Sequence, residues 1–105
     1  MVETLRQKQS RFVWMVRSLI EFAYESGYEL TFGDAYRDPR APYGSEVSLH
    51  HSRLAVDFNL FKDGRYLSST ESHRPLGEFW ESRGGTWGGR WNDGNHYSLE
   101  HNGRK

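Results

Sequence analysis

The chain has 105 residues, 14 basic and 14 acidic side chains, and no formal net charge. This length sets one domain with a core large enough to fold alone, and the balanced charge argues against a nucleic-acid binder, whose footprint is basic. The 4 Trp, 6 Tyr and 6 Phe bury enough area to argue against disorder, and the absence of cysteine excludes disulfide staples and any sulfur-based zinc site.

From Thr4 to Ser26 the apolar residues Leu5, Phe12, Val13, Val16, Leu19, Ile20, Ala23 and Tyr24 recur at helical spacing. Arg6, Lys8, Arg11, Arg17, Glu21 and Glu25 occupy much of the remaining surface. The pattern predicts a structural helix stopped by Gly27, with its basic residues forming a solvated face. Tyr28 to Phe32 alternates as a short strand, and Asp38 to Ser45, broken by two prolines and a glycine, reads as a loop. Leu54 to Phe61 is the strongest strand, with Ala55, Asp57 and Asn59 on one face and Val56, Phe58 and Leu60 on the other. Lys62-Asp63-Gly64-Arg65 signals a tight turn, returning through Tyr66 and Leu67 as a hairpin.

Pro75 to Arg83 predicts a short helix with Pro in its first turn, Gly84-Gly85 as its stop, and Leu76, Phe79 and Trp80 as its buried side. Thr86 to Asn95 is Gly-rich and aromatic, and His96 to Leu99 reads as a last strand. Helix, strands, helix, strands in this order point to an α+β fold in a single domain, residues 1–105. A small antiparallel sheet packs with an N-terminal helix and a second short helix. No apolar run approaches the ~20 residues that span a bilayer, so no membrane insertion is expected. Met1 to Lys8 shows no apolar signal segment, so cytoplasmic synthesis without a signal peptide is the expectation.

The chemistry concentrates in two segments, Ser48-Leu49-His50-His51-Ser52-Arg53-Leu54-Ala55-Val56-Asp57 and Asp93-Gly94-Asn95-His96. His50 or His51, Asp57 and His96 supply two imidazoles and a carboxylate for a metal, and Asp93 supplies a second carboxylate. A catalytic zinc site takes three protein ligands, leaves a position for water and needs a nearby base. Taken singly, each of these residues reads as an ordinary surface or hydrogen-bonded group; their combination is what is specific. Spacing does not choose between His50 and His51.

Ser48-x-His50-x-x-Arg53-x-Ala55-x-Asp57 followed by Asp93-x-x-His96 resembles the zinc D-Ala-D-Ala carboxypeptidase and dipeptidase family, which includes phage L-alanyl-D-glutamate endopeptidases. Gly33-Asp34-Ala35-Tyr36-Arg37-Asp38-Pro39, Leu76 to Ser82 and Trp87-Gly88-Gly89-Arg90-Trp91 are similar to its phage-type members. The resemblance implies a fold like that of Hedgehog and D-Ala-D-Ala peptidase domains. It implies His50, Asp57 and His96 as ligands of Zn²⁺, Asp93 as the catalytic carboxylate, and Arg37 as a catalytic arginine over the substrate. Ser48 either binds substrate or caps its loop, and Arg37 either serves the reaction or pairs with Asp34 or Asp38. Arg53 stands where the dipeptidase branch has Gly, which argues against dipeptidase specificity.

The implied function is hydrolysis of peptidoglycan stem peptides. An endolysin-type L-alanyl-D-glutamate endopeptidase, acting on the cell wall after holin-mediated release, is expected. A D-alanyl-D-alanine carboxypeptidase is the first alternative, and a non-catalytic zinc-dependent wall-binding or structural module is the second. A monomer is expected. Trp87, Trp91 and Tyr97 are candidates to wall the cleft, with core packing expected for at least two; His73 and His101 read as structural or surface residues.

Overall fold

The computed structural model describes residues 2–33 and 52–105. Helix α1, Leu5–Glu25, starts on a capping box. Thr4 Oγ1 accepts from Gln7 N at 3.1 Å and Gln7 Oε1 accepts from Thr4 N at 2.8 Å, satisfying two amides that the helix itself leaves open. It stops as anticipated. Gly27 takes φ 89° while its amide donates to Tyr24 O and the Tyr28 amide donates to Ala23 O, the paired bonds of a glycine-terminated helix. Phe12, Met15, Leu19 and Ala23 form its buried stripe. Leu5, Val13 and Tyr24, expected on the apolar face, are exposed instead, and Met15 is buried. Val13 lies one residue, or about 100°, past Phe12 and so turns out of the stripe. Tyr24 keeps an amphipathic position, its hydroxyl bridging the backbone N and O of Leu30.

Strand β1 is Glu29–Phe32 and strand β2 is Ala55–Lys62, one residue later than the alternation suggested at each end. Asp63 and Gly64 both adopt positive φ (53° and 76°), the two-residue turn whose twist suits a hairpin, and strand β3, Arg65–Leu67, returns beside β2. A 3₁₀ turn at Glu71–His73 leads directly into helix α2, Arg74–Ser82. The Gly-rich stretch contains a two-residue strand β4, Thr86–Trp87, and a 3₁₀ turn at Gly88–Trp91, both absent from the sequence reading. It ends in strand β5, His96–Ser98.

The five strands form an antiparallel sheet in the order β1-β2-β5-β4, with β3 also paired to β2. The described residues therefore form a single α+β domain of two helices and one sheet, as the element order implied. Both helices cover one sheet face. Phe12 meets Trp80 edge-on, Trp80 meets Tyr97 edge-on, and Phe22 stacks on Phe79. Val56, Phe58, Leu60, Tyr97 and Leu99 complete this core from the sheet.

Trp87 needs glycine neighbours. A Cβ on Gly77 would lie 2.1 Å from the Trp87 ring, and one on Gly89 would lie 2.2 Å from it. Among the described residues no helix is long and apolar enough to cross a membrane.

Candidate active site

The face of β2 turned away from the helices carries Asp57. Phe58 N donates to Asn95 O and Leu99 N donates to Leu54 O, each at 3.0 Å. Asp57 and His96, which pair in register, therefore occupy an intervening non-hydrogen-bonded position. At such positions opposing Cα atoms are nearest and the side chains crowd. Asp57 Oδ1 lies 3.4 Å from His96 Nδ1, with the two side chains only 17% and 9% exposed. Two strands distant in sequence thus hold a carboxylate and an imidazole side by side on one face. The residue just after β1, Gly33, closes in from the other edge: its amide donates to Asp57 O at 2.7 Å, and a Cβ there would stand 3.2 Å from the Asp57 Cβ.

Asp93 and His96 begin and end a single turn, in which His96 N donates to Asp93 O at 3.1 Å. Asn92, in the left-handed conformation at φ 65°, directs the chain into it. Asp93 N donates to Gly88 O at 2.8 Å. Gly88 has no room for a side chain, since a Cβ would fall 2.2 Å from Asp93 O and 2.7 Å from the His96 Cβ. The Trp91 ring lies 5.7 Å from the His96 ring and is 44% exposed, so it flanks the site. Trp87 and Tyr97 are fully buried and belong to the core.

Sequence reasoning missed the support behind this turn. Thr70 Oγ1 accepts from Gly94 N at 3.2 Å, and Trp87 Nε1 donates to Gly94 O at 2.7 Å. The Tyr97 hydroxyl and His73 Nδ1 are hydrogen-bonded at 2.8 Å, both buried. Burial pushes the His73 imidazole down to about 4 and the Tyr97 phenol well above its usual value, so both are neutral at physiological pH. His73 has no motif neighbour, and only the alternation that turns Tyr97 coreward beside His96 hints at its partner. His101 lies in the terminal bridge with Arg104, where its Nδ1 is 3.4 Å from Lys8 Nζ.

The structure thus brings together Asp57 and His96, with Asp93 in the same turn as His96. Arg37, Ser48, His50 and His51 lie outside the described residues. Among the described residues no three His, Cys, Asp or Glu side chains gather as a metal site. The pair that is present fits zinc by its chemistry, one carboxylate oxygen and one imidazole nitrogen. Arg53, which stands where the dipeptidase branch has Gly, is placed at φ 58°, a left-handed conformation that glycine adopts without steric cost.

A family model described as D-alanyl-D-alanine carboxypeptidase, a peptidase family, matches residues 43–99, more than half of the chain. The chain belongs to that family. The matched span contains Ser48, His50, Asp57, Asp93 and His96 and begins after Arg37. No curated protein matches the chain.

Proposed function

We propose that this member of the peptidase family is a zinc metallopeptidase of peptidoglycan stem peptides, in which His50, Asp57 and His96 hold the metal. The observation that carries the reading is the Asp57–His96 pair, set 3.4 Å apart across two strands inside the family-matched span. Zinc at such a site supplies Lewis acidity toward water and toward the scissile carbonyl. Asp93 takes a proton from the attacking water and returns it to the leaving amine. Arg37 offsets the negative charge that develops on the carbonyl oxygen, and Ser48 holds the substrate. Trp91, half exposed beside His96, offers the peptide a flat wall.

The favoured bond is that between L-Ala and D-Glu, the endolysin-type activity. The similarity of Gly33 to Pro39 and Trp87 to Trp91 to phage-type members supports it. In that setting the protein works as a monomer on the cell wall after holin-mediated release. The description of the matching family favours a second reading, removal of a terminal D-Ala.

Digestion of purified muropeptides separates the readings. Release of a whole peptide from MurNAc-L-Ala identifies the endopeptidase, and loss of a single alanine identifies the carboxypeptidase. Zinc binding without any cleavage would sink both and leave a wall-binding module. Metal analysis of the purified chain is expected to find about one zinc per chain.

A further inference from the structure

Two polar side chains at the start of α2 turn away from their own helices. Thr70 precedes the 3₁₀ turn and His73 precedes α2, positions where a side chain ordinarily caps the helix that follows. Neither makes a capping bond. The capping task falls to Ser69, whose Oγ accepts from Ser72 N at 3.1 Å. Thr70 and His73 reach instead to the segment that carries Asp93 and His96. Thr70 Oγ1 holds Gly94 N at 3.2 Å and His73 Nδ1 holds the Tyr97 hydroxyl at 2.8 Å.

The two grips share one spacing. Thr70 and His73 are three residues apart, and so are Gly94 and Tyr97, so a single short turn holds both sides of His96. The contact is close as well as polar: a Cβ on Gly94 would stand 2.5 Å from the Thr70 Cα. Trp87 Nε1 grips the same residue through Gly94 O at 2.7 Å.

We propose that Thr70 and His73 form a clamp of positioning residues that sets the Asp93–His96 turn in the geometry needed to hold zinc and present the Asp93 carboxylate. The proposal rests on the zinc-peptidase reading of the site. It assigns the clamp no contact with substrate. His73 acts through Tyr97, which faces the core while its neighbour His96 faces the site. Burial keeps the imidazole neutral, so the bond to the phenol persists across the neutral pH range.

The test compares full-length wild type with Thr70→Val, Thr70→Ser and Tyr97→Phe. It measures zinc affinity by chelator competition, amide hydrogen exchange of the metal-free chain, and melting temperature. Thr70→Val and Tyr97→Phe are expected to weaken zinc binding about 10-fold, the usual cost of removing a group that orients a ligand. They should also speed exchange at the Gly94 and His96 amides while distant amides in α1 keep their protection. Thr70→Ser, which retains the hydroxyl, should restore wild-type values.

Unchanged zinc affinity accompanied by a uniform loss of protection and of melting temperature would overturn the clamp and leave ordinary core bonds. If wild type binds no zinc, the function reading fails by itself. Exchange in the metal-free chain then decides the clamp: local acceleration at Gly94 and His96 upholds it as a brace of this turn, and none overturns it. Tyr97→Phe leaves a buried imidazole without its partner; if that variant does not fold, the half-buried Thr70 pair decides the question.

Discussion

Strand β5 holds two imidazole–oxygen pairs back to back. On one side His96 faces the carboxylate of Asp57 at 3.4 Å; on the other, Tyr97 offers a phenol to His73 at 2.8 Å. The first pair joins a carboxylate oxygen to an imidazole nitrogen, both of them atom types that zinc accepts as ligands. The second joins two neutral groups in the core, at a shorter distance. A carboxylate leaves its partner useful for binding a cation, whereas a buried neutral partner serves to fix position. Consecutive residues of one strand thereby place a carboxylate-paired imidazole on one face of the sheet and a core-anchored phenol on the other.

The comparison breaks most sharply on the Asp57 side. His96→Ala or Asp57→Ala is expected to abolish zinc binding and hydrolysis. Stripping zinc with a chelator should then lower the melting temperature of wild type and leave that of these variants unmoved. Metal content and thermal scans check this, and a variant that keeps both zinc and activity would remove its residue from the ligand set. Asp93→Asn should retain the metal while kcat falls about 10²- to 10⁴-fold, the usual worth of a general base. Single-turnover digestion of muropeptides reads that loss, and an unchanged rate would assign the proton transfer elsewhere.

The core pair predicts a pH dependence. In the unfolded chain His73 takes up a proton near its ordinary value of 6.5, whereas in the folded chain burial delays this to about 4. The unfolded state therefore binds more protons in that window. Stability from this group is full above pH 6.5 and falls as pH drops toward 4, by about 3 kcal/mol in all. Urea midpoints between pH 7.5 and 4.5 should show the slope, and His73→Asn should flatten it; equal slopes would place its origin in another group. The smallest effect is expected at Ser98, on the site face beside the Asp57–His96 pair. Among the described residues its buried hydroxyl finds no hydrogen-bond partner, so Ser98→Ala should leave stability unchanged or raise it by up to about 1 kcal/mol. A loss of that size in a denaturant titration would reveal a partner for the hydroxyl.

The supporting side was much harder to foresee than the chemical side. Helix α1 and strand β2 are long enough for periodicity to show, and alternation alone placed Asp57 opposite Val56 and Phe58. His96 was legible as the start of a last strand, but the register that sets it opposite Asp57 shows only in the sheet. Strand β4 has only two residues between glycine-rich turns, too few to alternate. The His73–Tyr97 bond joins residues far apart in sequence, neither in a motif, and only packing brings them together. The helix stripe was misjudged at Val13 and Tyr24 because apolar character does not distinguish a buried position from one beside it.

The Trp87 ring, held between Gly77 and Gly89, also limits the order in which this sequence can diverge. A side chain gained at either glycine collides with the indole, so that change is accepted only in a background where position 87 has already become smaller. Shrinking Trp87 first opens both positions at once. Divergence through this part of the domain is thus constrained in its order of steps, and libraries that vary Gly77 or Gly89 alone are expected to return few folded members.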